Sequence, residues 1–376
     1  MASGVAIIGA GGFVGARFLE MATLAGRTDV VPVVRAYRSV GRNAHLGVPH
    51  RLADASRLDS LREALTGCDV VENVTTGYVG DILPITQTVY AAAVAVGARM
   101  LVHMSSAAVY GGVERPDLPD DAPPRLDHWM PYARQKGLAE NFLRERMRDG
   151  KIAIVVLRPS LVWGPGSPWV LGPASELVRG SAYLIRGGAG ICNLMYVDNL
   201  VRSISAVVAH PAPATGFFNI RDDERTTWRE YYAALAAGLG VDVATIHAVS
   251  GERYRTGLRD RLDGLRSGRA YRWLKDRLSL ETRTTLKFRL ARARGREGEW
   301  SRPALPSVTR TMWDVQNTRH QLPTQRFPAM YGNQNLTSFS SGIAASLAWL
   351  RFIGLDERDQ PTIGALCAAV PLVGGT

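Results

Sequence analysis

Along the first half of the chain, short continuous apolar runs alternate with stretches whose apolar residues recur at helical spacing. The runs are Val5–Gly9, Val30–Arg35, Asp69–Val74, Arg99–Ser106 and Ile152–Ser160, all rich in Val and Ile. Hydrophobicity that is continuous rather than alternating marks a strand buried on both faces, as in a parallel sheet. Between the runs, the spacing predicts helices over Val14–Ala25, Ser60–Leu65, Ile85–Val96 and Ala133–Arg148, the last stopped by the glycine of "RDG". Repeated strand–helix units predict an α/β fold with a doubly wound parallel sheet.

Beyond Gly164 the pattern loosens. "WGPGSPWVLGP" is rich in Gly and Pro and reads as loop. Asn193–Val208 reads as a strand leading into a helix, "GFFNI" as a further strand, and "TTWREYYAALAAGLG" as a helix with a Thr start. Met312–Leu355 closes the pattern as a compact stretch. The expected organisation is a first domain over 1–165, to which segments near 193–220 return. A smaller α/β substrate lobe follows over 166–376, interrupted by an Arg-rich helical insertion at 252–299.

Composition is that of a globular protein, with 46% hydrophobic and 21% charged residues in 376. The scattered Cys68, Cys192 and Cys367 contain no CxxC and read as reduced thiols of a cytoplasmic protein, with no metal cluster. "MASGVAIIGAGGFVG" lacks a basic n-region and does not read as a signal peptide. No apolar stretch reaches the roughly 18 residues of a membrane span. The apolar tail Thr362–Gly375 is too short and carries Pro371. The net charge is +11, and residues 252–299 alone hold 15 Arg/Lys against 7 Asp/Glu, so the excess positive charge is local.

Two features carry chemistry. In "IIGAGGFVG", Gly9, Gly12 and Gly15 follow a strand and open a helix. Glycines there let a pyrophosphate approach the backbone, and the helix N-terminus supplies free N–H groups, so a Rossmann-type dinucleotide site is expected. An NAD site would show Asp or Glu at the end of the second strand. This chain has Arg35, then Tyr37 and Arg38, which suits a 2′-phosphate and favours NADP(H), with NAD(H) as the other option. Asp54 either accepts from the adenine amino group or initiates a turn.

The second feature is Ser106 at the end of a strand, followed by Tyr132 and Lys136 four residues apart on a helix start. An i, i+4 pair shares one helical face. A lysine beside a phenol is expected to lower its pKa and suit it to acid/base work, with Ser106 holding the substrate oxygen. A second Tyr–Lys pair, Tyr271–Lys275, lies on the apolar stripe of the insertion and follows no serine-bearing strand end. It reads as packing. His103 reads as core and His128 as a loop histidine beside the cleft, while Trp129 and Tyr110 read as cleft walls.

With these motifs the chain resembles the extended short-chain dehydrogenase/reductase family, also called the NAD-dependent epimerase/dehydratase family. "SSAAVYG" at Ser105–Gly111, "YARQK" at Tyr132–Lys136, "LRPSLVWGPG" at Leu157–Gly166, "YVDNLV" at Tyr196–Val201 and "FFNIRDDE" at Phe217–Glu224 occur in family order after the glycine loop. The resemblance implies Ser106, Tyr132 and Lys136 as catalytic. It also implies Gly9, Gly12, Phe13, Val14, Gly15, Arg35, Asp54, Val74 and Thr75 around the cofactor, with Pro159 and Ser160 near the nicotinamide. Ala107 and Ala108 stand where sugar-nucleotide 4,6-dehydratases carry an acidic pair, and Leu161 where many epimerases carry Asn, so the segment is more similar to ketone or alcohol reductases.

The expected activity is NADP(H)-dependent hydride transfer at a C=O or C–OH carbon of a sugar-like substrate, a nucleotide sugar among them, or of another polar substrate. An epimerase that retains NAD and a non-catalytic dinucleotide sensor are the rivals. A homodimer is common in the resembled family. The insertion reads as a lid, a membrane-surface contact or a subunit contact, and no base-stacking motif points to nucleic acid.

Overall fold

The computed structural model describes residues 4–113, 115–250, 254 and 305–355. The basic insertion apart from Tyr254, the Tyr271–Lys275 pair, Cys367 and the apolar tail lie outside the described residues. The chain divides into two compact units.

The first unit comprises Met1–Trp169, Ile191–Thr226 and Thr318–Ile343. Its centre is a seven-stranded sheet made of β1 (Gly4–Ile8), β2 (Val30–Val34), β3 (Arg51–Leu52), β4 (Cys68–Asn73), β5 (Met100–Met104), β6 (Ala153–Pro159) and β10 (Gly216–Ile220). The spatial order is β3-β2-β1-β4-β5-β6-β10, and every pairing is parallel. This is the doubly wound arrangement that the apolar runs predict. β1, β5 and β10 are buried at every position, which is why their sequence does not alternate.

Two helices cover one face of the sheet, α1 (Phe13–Leu24) and α6 (Val197–Ala209); Phe18, Leu19, Leu200 and Ile204 pack there on Val5, Ile7, Val70 and Val102. On the other face lie α2 (Leu58–Leu65), α3 (Ile82–Ala95) and α4 (Pro131–Asp149), whose Leu61, Val89 and Leu143 pack on Ala6, Val71 and Leu101. Helix α4 starts at a proline and ends at Gly150 with φ +62, a left-handed position that favours glycine. Strands β7 (Leu161–Trp163) and β9 (Leu194–Tyr196) form a separate parallel pair.

Among the buried polar groups of the sheet, Glu72 stands apart. Glu72 of β4 lies level with Ile7 and Val102 of the flanking strands, is fully buried, and neither carboxylate oxygen has a hydrogen-bond partner among the described residues.

The second unit comprises Val170–Gly190, Thr227–Asn317 and Ala344–Thr376. Here β8 (Tyr183–Ile185) pairs in parallel with β11 (His247–Val249). Helix α7 (Trp228–Leu239) begins with a full capping box between Thr227 and Glu230, and α8 (Arg310–Gln316) delivers Gln316, whose side chain accepts from the Ile185 amide at 2.8 Å. Of the later described helices, α9 (Arg326–Tyr331) lies in the first unit and α10 (Phe339–Phe352) runs from the first into the second. The expected loop at Trp163–Pro173 is shorter than its composition suggests, because α5 (Pro168–Val178) starts inside it. Pro168 stands at the first helical position, where its missing N–H costs nothing, and Pro173 is accommodated within the helix.

Candidate active site

Because the seven strands are parallel, Gly9, Arg35, Thr75, Ser106 and Ser160, which follow β1, β2, β4, β5 and β6, all lie at one sheet edge, the carboxyl edge. Open α/β sheets bind ligands at that edge.

After β1 the chain turns at Gly9, with φ +97, and enters α1 at Gly12, its N-cap. The Gly12 amide donates to the Gly9 carbonyl at 2.9 Å. A Cβ on Gly15 would stand 2.5 Å from that same carbonyl, and one on Gly11 2.1 Å from the Ser39 carbonyl. The glycines are thus demanded by backbone-to-backbone contact, and the amides of Phe13 and Val14 open α1 beside them. Thr75 borders the loop: a Cβ on Gly9 would meet its methyl at 3.2 Å. Val74 is tied to β1 by its amide, which donates to Ile8 at 3.1 Å. Asn43, which sequence reasoning missed, is buried and donates to the Ala10 carbonyl at 2.9 Å, bracing the loop from outside.

Arg35 and Arg38 are exposed at the end of β2 and in the turn that follows, with Arg42 exposed beyond them. Arg35 is near enough to Asp54 to act on its charge. Asp54 itself accepts from the amide and hydroxyl of Ser56 at 3.0 and 2.7 Å, and these bonds hold its carboxyl below the ordinary range. Of the two readings of Asp54, the turn is the one its hydrogen bonds serve. At the end of β6, Pro159 is buried, the Ser160 amide donates to Ile220, and the Ser160 hydroxyl is buried with no partner among the described residues.

The residues predicted to react come together. Ser106 caps the short turn Ala107–Tyr110, its hydroxyl accepting from the Ala108 amide at 3.2 Å, and it lies near enough to the Tyr132 phenol to act on its ionisation. Lys136, one turn along α4, is buried; its Nζ lies 6.0 Å from the centroid of the Tyr132 ring and donates to the Met104 carbonyl at 2.6 Å.

The electrostatics differ from the sequence-based expectation. Burial pushes the Tyr132 phenol up, with the nearby Ser106 hydroxyl pulling against it. Burial brings Lys136 down to about 8, opposed by the charge of Glu140. Desolvation outweighs the mutual effect of the pair, because both groups sit where their charged forms lose water.

Behind this trio lies a buried polar cluster that the motifs did not announce. The Glu140 carboxylate accepts from Ser105 Oγ at 2.5 Å and from Arg158 Nε and Nη2 at 2.9 and 2.6 Å. Arg158 also donates to the Tyr110 hydroxyl and to the Asp120 carbonyl, and Tyr110 donates to Asn219 Oδ1 at 2.8 Å. Tyr110 therefore belongs to this cluster rather than to a cleft wall. A signal existed: Arg158 interrupts an apolar strand run, and Glu140 repeats the spacing of Tyr132 and Lys136. His103 is buried core, as its strand position suggested, and touches Asn73 at 3.4 Å. His128 and Trp129 are half-buried on the approach to α4, their carbonyls held by Arg134 at 2.8 and 3.2 Å.

Among proteins of known activity, a 3-diazoavenalumate denitrifying reductase of a Streptomyces species is 34% identical over 149 residues, which is 38% of this chain and 48% of that protein. The chain thus matches about half of that reductase's length. An N-acetyl-alpha-D-glucosaminyl-diphospho-ditrans,octacis-undecaprenol 4-epimerase of Escherichia coli O157:H7 is 24% identical over 262 residues, covering 66% of this chain and 76% of that one. Among solved structures, the UDP-glucuronic acid 4-epimerase of Bacillus cereus, in complex with UDP-glucuronic acid and NAD, superposes with a TM-score of 0.65 at 16% identity, covering 93% of this chain and 99% of that one. At that identity the likeness is one of fold. Residues 5–220 match the NAD dependent epimerase/dehydratase family, more than half of the chain. With its parallel sheet and glycine loop, the chain belongs to that family.

Proposed function

We propose that the protein is an NADP(H)-dependent oxidoreductase acting at a C=O or C–OH carbon of a sugar-like or other polar substrate, with Tyr132 as its acid/base. The observation that carries this reading is the gathering of Ser106, Tyr132 and Lys136 at the carboxyl edge of the sheet, Ser106 capping the turn after β5 and Lys136 Nζ 6.0 Å from the centroid of the Tyr132 ring. The residues present fit a dinucleotide. Gly9, Gly12 and Gly15 leave backbone open where a Cβ would collide, and the buried Ser160 hydroxyl lacks a partner where a polar group of the cofactor is expected. The exposed Arg35 and Arg38 supply positive charge for a 2′-phosphate, and no carboxylate stands at the end of β2 to take a ribose hydroxyl.

When bound, the nicotinamide supplies or accepts the hydride. The protein handles the proton. Tyr132 Oη gives it to, or takes it from, the substrate oxygen, which Ser106 Oγ holds by a hydrogen bond. Lys136 is the cation nearest that phenol and is aimed by the Met104 carbonyl. Ala107 and Ala108 put no carboxyl beside Ser106, so this wall of the site offers no group to expel water from a sugar.

The test uses the purified full chain, NADPH and NADH, and two carbonyl probes, a UDP-linked 4-keto-hexose and a 2-alkyl-3-oxo acid. Net oxidation of NADPH with at least one probe is expected. Tyr132→Phe should lower kcat by roughly 10²–10⁴-fold with NADPH affinity unchanged. Near-normal kcat in that variant would refute the acid/base role. Firmly bound, non-exchanging NAD(H) with no net redox would turn the reading to epimerisation, the activity of the E. coli relative.

A further inference from the structure

Three successive turns along one face of α4 hold three consecutive residues leaving β5. Tyr132 meets Ser106, Lys136 meets the Met104 carbonyl, and Glu140 meets the Ser105 hydroxyl. The first two contacts involve groups already assigned to the reaction. The third does not reach the reacting edge, yet it has the most elaborate support. Arg158, fully buried on the neighbouring strand β6, grips both oxygens of Glu140. It also reaches past Ser106 to Tyr110, at the far end of the turn that Ser106 caps. Ser106 is thereby held from both sides, through Ser105 before it and through Tyr110 after it.

We propose that Glu140 and Arg158 are positioning residues that set the register of α4 against the end of β5, with Ser105 as their handle, so that Ser106 and Tyr132 meet. The proposal rests on the reading of Ser106, Tyr132 and Lys136 as the reacting set. Stability alone does not account for the pair. Desolvating two charges consumes most of what their attraction returns, and apolar residues of similar volume in their place are often neutral or stabilising. What an apolar pair cannot supply is direction: a bidentate guanidinium–carboxylate contact fixes both side chains in angle as well as distance.

The test compares Ser105→Ala with the double variant Glu140→Leu/Arg158→Met, which removes both charges and strands neither. The first readout is a crystal structure of each variant and needs no substrate. The proposal expects Ser106 Oγ and Tyr132 Oη to move apart from their wild-type separation in the double variant, and Ser105→Ala to show a smaller shift in the same direction. The second readout is turnover in the assay above. It expects kcat to fall at least about 100-fold in the double variant and about tenfold in Ser105→Ala, with KM and NADPH affinity within about threefold of wild type, the split of an interaction lost mainly in the transition state. In a Tyr132→Phe background, Ser105→Ala should cost nothing further, because the group it aligns is gone.

An unchanged Ser106–Tyr132 separation in either variant's structure, or full turnover in a folded double variant, would overturn the proposal. Should the double variant fail to fold, Ser105→Ala, which removes one hydroxyl, decides by the same structural readout. If Tyr132→Phe itself keeps its turnover, the catalytic reading fails instead, and the structural readout still judges the register.

Discussion

Glu72 offers a measurement in which burial alone sets the outcome. Its carboxyl is fully enclosed between β1 and β5, has no hydrogen-bond partner among the described residues, and burial pushes it up from 4.5 to about 8, with Arg27 opposing weakly. The group is therefore protonated in the folded protein near neutrality and ionised in the unfolded chain. A carboxyl whose folded value is raised loses stability as pH rises: its contribution is complete below about 4.5 and falls away until about 8. At about 1.4 kcal/mol per pH unit, the interval from 4.5 to 7 amounts to roughly 3 kcal/mol of lost stability at pH 7.

Glu72→Gln isolates this effect, because the amide has a similar shape and does not titrate. Urea unfolding of both proteins at half-unit steps from about pH 4.5 to 8.5, followed on the transition of the unit that carries the seven-stranded sheet, gives the difference at each pH with common titrations cancelled. The variant should match wild type near pH 4.5, gain about 1.4 kcal/mol on it per pH unit, lead by roughly 3 kcal/mol at pH 7, and level off above about 8. Glu72→Met should add a pH-independent gain of about 1–3 kcal/mol by removing the unmet polar group. A difference between Glu72→Gln and wild type that stays flat across the range would refute the reasoning.

Other outcomes follow from the site. Gly15→Ala places a Cβ 2.5 Å from the Gly9 carbonyl and 2.9 Å from Ala10 Cα, both backbone atoms that cannot step aside, so NADPH affinity by fluorescence titration should fall at least about tenfold. Gly12→Ala, at 3.2 Å from the same carbonyl, should cost less. Arg35→Asp with Arg38→Ser should lower the NADPH-over-NADH affinity ratio by about ten- to a hundredfold, since hydrogen bonds to charged groups contribute about 1.5–3 kcal/mol; an unchanged ratio would remove these arginines from the cofactor site. Because Lys136 titrates at about 8, kcat/KM should decline as pH rises through that value, and Lys136→Arg, which stays charged, should abolish that limb whatever its absolute rate. A wild-type profile level to pH 9.5 would show that the Lys136 charge does not matter to the reaction.

The parts of this molecule that could be read from its sequence are those in which one local cause fixes the outcome. β1, β5 and β10 are buried throughout, and apart from His103 and Asn219 their residues are apolar or glycine, so near-continuity alone revealed them. The glycine loop was legible for a similar reason, since each glycine answers to a backbone atom a few residues away or across the adjoining turn. Strands of two or three residues, such as β3, β7, β8 and β11, contain no full period and left no trace in the pattern.

Glu140, Arg158 and Glu72 were missed for a different reason. Pattern reading counts a charge as a solvated position, and the three are buried. What separates them is tertiary: Arg158 finds Glu140 from a neighbouring element, whereas Glu72 finds nothing. The same sequence signal, a charge inside an apolar strand run, therefore marks a paired group in one strand and an orphan in another. Only the partner tells them apart, and with it the predicted effect reverses: removing Arg158 alone strands a buried carboxylate and destabilises, while Glu72→Gln removes the cost of protonating a buried carboxyl on folding and stabilises above about pH 4.5.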